Sequence, residues 1–456
     1  MSHFDLLIIG AGPAGYPLAT AMARYGSKVA IIERDSAGGT CLNWGCIPTK
    51  ALLASSKQYH QMQNAQLWGL KAEQVGFDWT AIMNRKEVVI KTLRQGIEKM
   101  LQAAGVTLFR GNAKLLPGRN VRVESVENTV EISAERICLA TGSVPSIPAG
   151  MPVDRSIFWT SNEALSAAHV PESLLIIGGG VIGLEFGQIF SSFGSKVTIV
   201  EMMPQILPGL DSATAKRLLP VFKKAGLEIF TGQKVEALDE ENGRVTATIA
   251  GQKRFFDKAL LAMGRRPNLS ILEGGGVSLN MDGRFIAVNS KFETSEPGIY
   301  AIGDAIPGPM LAHKASYDAM TLADIWRGRE IRHTYNSVPA CVYTHPEIAW
   351  VGLSEDEARA KGVPVNVGRS LFSANGKAVA AGDSDGQVKT LTDEKGHLIG
   401  AIIWGPEASN LIIEPTMLSE LKIPNREART VIHPHPTLSE AFSEAMASAS
   451  GEAVHG

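Results

Sequence analysis

Short apolar runs that end in glycine-rich turns occur twice in the chain with nearly the same letters. Residues 6–15 read LLIIGAGPAG, and residues 174–183 read LLIIGGGVIG. In each copy the apolar run predicts a buried strand, and the residues after the glycines have the apolar spacing of a helix. A second apolar run then ends in an acidic residue, as GSKVAIIE (26–33) and GSKVTIVE (194–201). The pattern therefore predicts two βαβ units, repeated at an offset of 168 residues in both segments.

Further along the chain the pattern predicts another helix and a pair of strands. After Cys46 the segment IPTKALLASSKQYHQM has helical apolar spacing, with Pro48 in the first turn, where proline is tolerated. Residues 386–405, GQVKTLTDEKGHLIGAIIWG, alternate like antiparallel strands. Because the chain from about residue 340 contains no nucleotide motif, we expect a third module there.

Composition restricts the possible partners. The formal net charge is −2 and charged residues make up 20% of the chain, so no overall field favours nucleic acid or an anionic membrane. No apolar run reaches the roughly 18 residues that span a bilayer. The N-terminus MSHFDLLIIG has no basic region and no cleavage site of a secretory signal. We therefore expect a cytoplasmic protein without nucleic-acid or membrane partners.

The repeated turns have the residue types that a dinucleotide requires. Each copy has three glycines that permit a tight turn, close approach to a pyrophosphate and packing of helix on strand. They are Gly10, Gly12 and Gly15 in the first copy, and Gly178, Gly180 and Gly183 in the second. The helix N-terminus after each turn supplies unpaired N–H groups to phosphates. Glu33 and Glu201 end the second strand of each copy, where a carboxylate accepts a hydrogen bond from a ribose hydroxyl.

The acid of the second copy also bears on the choice of cofactor. A carboxylate at Glu201 suits the free 2′-hydroxyl of NAD and repels the 2′-phosphate of NADP. Met202 and Met203 follow it, so no arginine is adjacent to bind that phosphate. Arg265 and Arg266 lie far along the chain and weaken this inference only slightly.

Two of the four cysteines lie together in the first unit, in GGTCLNWGC (38–46). A zinc site needs a second pair of ligands nearby, so we expect no metal. A structural staple is also unfavourable, because closing so short a loop removes little chain entropy. Redox cycling of Cys41 and Cys46 remains, beside the simpler interpretation of two incidental thiols. If the pair is redox-active, a flavin relays electrons between it and a nicotinamide, which assigns FAD to the first unit and NAD to the second.

A regular helix could not join these two cysteines. Residues five apart on a helix point roughly 140° away from each other. We therefore expect the segment to be distorted between Cys41 and Cys46, with Gly45 available to absorb the distortion.

The segment GGTCLNWGCIPTK, with the two nucleotide units, strongly resembles the flavoprotein disulfide reductases, over essentially the whole chain. Other segments that match in order are ICLATGS (137–143), LAMGRRPN (261–268), YAIGDA (300–305), GPMLAHKA (308–315) and HPHPTLSEA (433–441). The chain departs from the family at Trp44, where members more often have a small or aliphatic residue.

The resemblance implies an α/β fold class, with two Rossmann-like dinucleotide-binding domains (FAD and NAD) and a C-terminal α+β dimerisation domain. The expected boundaries are a FAD-binding domain at 1–145 with a return segment at 270–338, a NAD-binding domain at 146–269, and a dimerisation domain at 339–456.

The resemblance also implies roles for individual residues. Cys41 and Cys46 would form a redox disulfide, with Cys46 against the flavin and Cys41 meeting the substrate. Lys50 would lie near the flavin ring, paired with Glu185, and Asp304 would bond the sugar-alcohol chain of the flavin. The simpler alternatives are a helix-surface position for Glu185 and a turn role for Asp304. The other residues expected to contact the cofactors are Pro13, Ala14, Arg34, Gly39, Thr40, Ala113, Thr141, Gly142, Ser143, Val181, Ile182, Val235, Gly264, Met310, Leu311, Ala312 and His313.

The segment HPHPTLSEA offers a base for thiol exchange. Pro434 and Pro436 exclude a helix interior, so His433 and His435 lie in extended chain and face opposite sides. The family pattern selects His435 as the base, with Glu440 orienting its ring. Alternatively, residues 437–440 form a capping box in which Glu440 only satisfies a backbone N–H. Both interpretations can hold together.

The implied activity is oxidation of protein-bound dihydrolipoyl groups to lipoyl groups with NAD⁺, in a 2-oxoacid dehydrogenase or glycine cleavage complex. The implied partners are a lipoylated carrier protein or lipoyl domain, and a second copy of the chain in a homodimer that shares the active site. Two alternatives are an NAD(P)H-dependent reductase of another disulfide and a catalytically idle flavoprotein subunit. Glu201 argues against an NADPH enzyme, and the intact Cys41, Cys46, His435 and Glu440 argue against an idle one.

Overall fold

The computed structural model describes residues 2–329 and 334–455. Within them the chain forms two compact units. The first comprises residues 2–52, 78–169 and 261–329, and the second comprises residues 53–77, 170–260 and 334–455.

Both units contain strands and helices. The strands are β1 (Ser2–Ile9), β2 (Val29–Glu33), β3 (Thr107–Arg110), β4 (Asn112–Leu116), β5 (Asn120–Glu124), β6 (Thr129–Leu139), β7 (Ser143–Pro145), β8 (Phe158–Trp159), β9 (Ser173–Ile177), β10 (Lys196–Glu201), β11 (Leu227–Thr231), β12 (Val235–Glu241), β13 (Arg244–Ile249), β14 (Gln252–Phe256), β15 (Lys258–Leu261), β16 (Arg265–Pro267), β17 (Met281–Asp282), β18 (Phe285–Ile286), β19 (Ile299–Ala301), β20 (Ala340–Val342), β21 (Glu347–Gly352), β22 (Asn366–Leu371), β23 (Gln387–Thr392) and β24 (Leu398–Gly405).

The helices are α1 (Gly15–Arg24), α2 (Gly39–Trp44), α3 (Cys46–Gln63), α4 (Trp79–Ala103), α5 (Ser161–Ala164), α6 (Val181–Ser192), α7 (Ser212–Lys224), α8 (Ala312–Trp326), α9 (Glu355–Ala360), α10 (Gly376–Ala380), α11 (Ala408–Leu411), α12 (Ile413–Leu421), α13 (Asn425–Ala428) and α14 (Glu440–Ala449).

The first unit is built on a sheet in the order β3-β2-β1-β6-β5-β4, with β19 also paired to β6. Strands β3, β2, β1, β6 and β19 are parallel, whereas β4 and β5 form an antiparallel extension. The central strand β1 is apolar because both of its faces are covered, and Leu7 and Ile8 have no exposed surface. The parallel arrangement places the carboxyl ends of β1, β6 and β19 at one edge, where ligands bind in folds of this class.

The second unit contains a parallel group and an antiparallel sheet. Strands β9, β10 and β11 are parallel and repeat the start of the first unit. The C-terminal sheet has the order β20-β21-β24-β23-β22, and all of its pairings are antiparallel. Helix α14 packs on this sheet, and Thr390 Oγ1 donates to the carbonyl of Ala445 on α14 at 3.0 Å.

This architecture confirms the predicted fold class. The βαβ repeat, the helix after Cys46 and the antiparallel pair within 386–405 all occur as predicted. The predicted domain boundaries near 145, 269 and 338 stay a prediction. In the described residues, no helix is long and apolar enough to cross a membrane.

Candidate active site

Cys41 and Cys46 are joined by a disulfide, with their Cα atoms 4.6 Å apart. Cys41 lies on α2, and Cys46 begins α3. Gly45 separates the two helices with φ −153° and ψ −108°, so the helical path is broken between the cysteines, as predicted. The break allows the two side chains to meet, which a continuous helix would prevent.

Two side chains between the cysteines fasten this segment to the rest of the first unit. Asn43 is buried and donates to the carbonyls of Ala37 and Gly39 at 3.1 and 3.0 Å. Its own carbonyl oxygen accepts from Arg94 Nη2 at 2.7 Å. Trp44 Nε1 donates to Asp35 Oδ2 at 2.8 Å, while 37% of the residue stays exposed. These contacts keep the segment in place independently of the covalent bond.

The first glycine turn lies beside the cysteine segment. Gly10 has φ +103°, and a Cβ there would lie 2.3 Å from the carbonyl oxygen of Ala140, so no other residue fits. A Cβ on Gly39, which begins α2, would lie 2.6 Å from the Cα of Gly12. The fold thus packs the glycine turn closely against both the end of β6 and the start of the redox segment.

Each acidic residue at the end of the second strand binds the glycine turn of its own unit. Glu33 accepts from the N–H groups of Ala11 and Asp35 at 2.8 and 2.9 Å. Glu201 accepts from Gly179 and Met203 at 2.7 Å each, which are the equivalent positions at the 168-residue offset. A carboxylate has about four lone-pair positions, so both groups can still accept from a ribose hydroxyl.

Replacing Glu201 by glutamine should make the protein less selective between the two nicotinamide cofactors. The amide carries no negative charge, so we expect the ratio of kcat/KM for NADP⁺ to that for NAD⁺ to rise about tenfold. One backbone N–H of the turn also loses its acceptor, which should lower the free energy of unfolding by about 1 kcal/mol. Steady-state kinetics and urea unfolding measure the two effects.

The repeat provides the matched control for this substitution. Glu33→Gln removes the same charge and the same acceptor from the first unit. It should lower stability similarly and leave the NADP⁺ to NAD⁺ ratio unchanged. A similar change of the ratio in both variants would show that Glu201 does not read the nicotinamide cofactor.

A polar chain lies at the carboxyl end of β6. Ser143 Oγ donates to Asp304 Oδ2 at 2.6 Å and accepts from Arg265 Nε at 2.8 Å. Arg265 also donates to Thr40 Oγ1 at 3.5 Å, so it connects this chain to the residue before Cys41. Burial lowers the pKa of the Arg265 guanidinium, and the charge of Asp304 opposes that shift. The motif LAMGRRPN carries no signal for this role of Arg265, because the role depends on the pairing of β16 with β7.

These residues fit an FAD molecule in the first unit. The hydroxyl of Thr141 is buried and has no hydrogen-bond partner among the described residues, as expected of a group that a ligand satisfies. A Cβ on Gly12, the second glycine of the turn, would have only the Gly39 Cα within 4 Å, so the bare backbone there is open to a pyrophosphate. When bound, FAD supplies a two-electron acceptor for the dithiol and a hydride donor for NAD⁺.

The two C-terminal histidines have separate acidic partners. His435 Nδ1 lies 2.9 Å from Glu440 Oε1, and its side chain is 79% exposed. His433 Nε2 lies 2.9 Å from Glu414 Oε1 and is 12% exposed. The chain bends at His435 and Pro436, the two rings pair with acids of different elements, and of these two histidines only His435 presents its ring to solvent.

Glu440 serves the backbone and the histidine at once. Its Oε2 accepts from the N–H of Thr437 at 2.8 Å, while Oε1 faces His435. Helix α14 begins at Glu440 with Ser439 as its N-cap, so Thr437 is not the cap of a complete capping box. The Thr437 N–H and then the His435 ring hold the pKa of Glu440 below its usual range, so the carboxylate is available to orient the histidine.

The other residues predicted to contact the cofactors are divided between the two units. Glu185 is buried on α6 at 3% exposure and accepts from the N–H of Tyr343 at 2.9 Å, so the alternative of a surface acid is wrong. Lys50 lies on α3, and its pairing with Glu185 stays a prediction. The first unit also holds Pro13, Ala14, Arg34, Ala113, Gly142, Gly264, Met310, Leu311, Ala312 and His313, whereas Val181, Ile182 and Val235 lie in the second. Their individual contacts with cofactors stay predictions.

The chain was compared with known proteins. Residues 4–319 match the family model described as pyridine nucleotide-disulphide oxidoreductase, and residues 338–446 match the dimerisation domain of that family. The chain therefore belongs to the pyridine nucleotide-disulphide oxidoreductase family. It is a flavoprotein oxidoreductase that uses FAD and NAD, which confirms the predicted class and cofactors.

Individual relatives are similar to this chain over almost its whole length. Dihydrolipoyl dehydrogenase of Zymomonas mobilis is 38% identical, with 99% of each chain covered. Dihydrolipoyl dehydrogenase of Thermus scotoductus is 39% identical, covering 100% of this chain and 99% of the relative. Among solved structures, LpdA from Mycobacterium tuberculosis superposes with a TM-score of 0.90 at 25% identity, covering 98% of this chain and 99% of that one. The flavoprotein disulfide reductase RclA from Escherichia coli, in a Cu(II) complex, gives 0.88 at 28% identity with the same coverage.

Proposed function

We propose that this protein oxidises protein-bound dihydrolipoyl groups to lipoyl groups with NAD⁺ as the electron acceptor. The observation that carries the proposal is the Cys41–Cys46 disulfide, packed beside the glycine turn of the FAD unit. Full-length relatives at 38–39% identity that are named dihydrolipoyl dehydrogenases support the same activity. A role in a 2-oxoacid dehydrogenase or glycine cleavage complex, and a cytoplasmic location, belong to this proposal.

The chemistry begins with proton transfer to His435. Its ring accepts a proton from the substrate dithiol, and Glu440 stabilises the resulting imidazolium at the other ring nitrogen. The substrate thiolate attacks Cys41 Sγ and breaks the bond to Cys46, which leaves as a thiolate. The second substrate thiol then attacks the first sulfur, closes the lipoyl ring and releases Cys41; the imidazolium of His435 gives its proton to the departing Cys41 sulfur and accepts the proton of the second substrate thiol. The electron pair of the substrate now resides in the enzyme dithiol, and the net reaction yields NADH and one proton.

The proposal is tested by adding one equivalent of dihydrolipoamide to the purified holoenzyme without NAD⁺. We expect a long-wavelength absorbance band, and two thiols that become titratable per chain. NAD⁺ should then abolish the band and generate NADH. If dithiol leaves both the spectrum and the thiol count unchanged, the pair is not redox-active. If the band and the thiols appear as expected, turnover with separate lipoylated carrier proteins identifies the carrier that the enzyme serves.

We further propose that the protein is a homodimer in which His435 of one subunit serves the cysteines of the other. The match of residues 338–446 to a dimerisation domain supports the dimer. Helix α12 also exposes Ile413, Met417 and Leu421 at 58%, 54% and 62%. Their spacing of four residues places them on one face of the helix, and an exposed apolar face of this kind marks a protein interface.

A mixed dimer should distinguish a shared site from a site within one chain. Differently tagged Cys46→Ser and His435→Gln chains are co-expressed and the heterodimer is isolated. In a shared site, one of its two sites keeps both residues, so we expect about half of the wild-type turnover. Activity no higher than that of the two parent homodimers would mean that both residues come from one chain.

A further inference from the structure

Two oppositely charged side chains lie fully inside the first unit. Lys314 and Asp318 are one turn apart on α8, their side chains have no exposed surface, and Nζ lies 2.8 Å from Oδ2. Charged residues are rarely buried so completely, and an apolar pair of similar volume often stabilises a protein equally well. Stability alone therefore does not explain this buried pair, and we ask which neighbouring group it holds in place.

The pair fixes the position of Gly303 on both sides of its Cα. Asp318 Oδ2 accepts from the Gly303 N–H at 2.9 Å, and Lys314 Nζ donates to the Gly303 carbonyl at 3.1 Å. The N–H and the carbonyl of Gly303, which belong to the two successive peptide units on either side of its Cα, are thus both held by one ion pair. Gly303 has φ +70°, and a Cβ there would lie 3.2 Å from that of Ala14 in the glycine turn. Gly303 is therefore confined between α8 and the first nucleotide-binding turn.

Gly303 immediately precedes Asp304, whose Oδ2 accepts from Ser143. A rotation of the peptide between Gly303 and Asp304, whose carbonyl accepts from Lys314, would move the Asp304 carboxylate, because that peptide carries the Asp304 backbone. The geometry points to Lys314 and Asp318 as positioning residues that hold Asp304 in place for the sugar-alcohol chain of FAD. This inference rests on the proposed assignment of FAD to the first unit, and it explains why an ion pair is retained where apolar packing would suffice.

The test measures FAD affinity in full-length protein stripped of its cofactor, by flavin fluorescence. Asp304→Asn should raise the dissociation constant of FAD roughly tenfold, since a charge-assisted hydrogen bond is lost. The apolar double variant Lys314→Met with Asp318→Leu should raise it by a similar factor. If the pair acts through Asp304, the triple variant should also lie near tenfold, whereas independent effects would multiply to roughly a hundredfold.

A second buried pair provides the matched control. Lys389 and Asp211 of the second unit are 3% and 1% exposed, with Nζ 3.0 Å from Oδ1. Lys389→Met with Asp211→Leu should lower stability in urea and leave the FAD dissociation constant within about twofold. If the Lys314 variant does not fold, Asp318→Glu, which keeps the charge but shifts the carboxylate, is combined with Asp304→Asn in the same way.

The outcomes separate the inference from the function on which it rests. A roughly hundredfold loss in the triple variant, or unchanged affinity in the Lys314–Asp318 variant, overturns the positioning role while leaving the FAD assignment intact. Unchanged affinity in Asp304→Asn overturns the assignment of Asp304 itself. A loss in the Lys389–Asp211 control as large as in the Lys314–Asp318 variant would show that general destabilisation is responsible.

Discussion

Replacing Cys46 by serine should reduce NAD⁺-dependent oxidation of dihydrolipoamide by roughly 10⁴-fold or more, while FAD stays bound. A serine hydroxyl cannot form or break the bond to Cys41, so the chain loses its store for the electron pair of the substrate. The fold should persist, because Asn43 and Trp44 fasten the segment without the disulfide. Turnover is followed as NADH absorbance, and bound FAD by the visible spectrum of the gel-filtered protein.

Cys138 supplies the control for this prediction. It is a free thiol in β6, and burial, assisted by the charge of Asp318, raises its pKa, so it does not become a thiolate. Cys138→Ala should therefore retain turnover within a few-fold of wild type. Near-normal turnover in Cys46→Ser, or an equal loss in Cys138→Ala, would contradict the assignment of the redox pair.

Replacing His435 by glutamine should slow dihydrolipoamide oxidation by 10²–10⁴-fold, the usual contribution of a general base. Oxidation of NADH by an artificial electron acceptor should change little, because that reaction needs no proton transfer from a dithiol. Glu440, whose low pKa keeps it ionised, is then left without its histidine. The two assays on one enzyme preparation separate thiol chemistry from nicotinamide chemistry.

His433→Gln is the matched control, since this histidine lies two residues away and pairs with Glu414 instead. It should leave both assays near their wild-type values. Equal losses in both assays for His435→Gln, or the larger loss in His433→Gln, would place the base elsewhere.

The sequence predicted those features whose signals are local. The βαβ units, the broken helix at Gly45 and the hairpin within 386–405 depend on spacing along a few turns or strands, and each occurs in the structure. The two histidines also have separate partners, as expected, but the chain bends at His435 and Pro436 instead of staying extended. These features can be predicted from local sequence, without knowing which helices and strands pack against each other.

The contacts that the sequence did not predict join distant parts of the chain. Arg265 meets Ser143 across 122 positions, and Arg94 meets Asn43 across 51. The spacing of Lys314 and Asp318 does not distinguish them from a surface pair on a helix, and the packing of α8 beside Gly303 buries them. Such contacts depend on tertiary pairing, for which spacing within one segment provides no signal.

The two hydrogen bonds that Glu201 accepts, from Gly179 in the glycine turn and from Met203, also limit how this protein can change over evolutionary time. A lineage that adapts to the phosphorylated coenzyme must remove the negative charge, and with it the acceptor for at least one of these two main-chain groups. A substitution of Glu201 that changes the preference between NAD and NADP therefore also weakens the glycine turn. We expect natural relatives that have changed to NADP to carry a second, compensating substitution near this turn. Laboratory selection for use of NADP should stall without such a substitution.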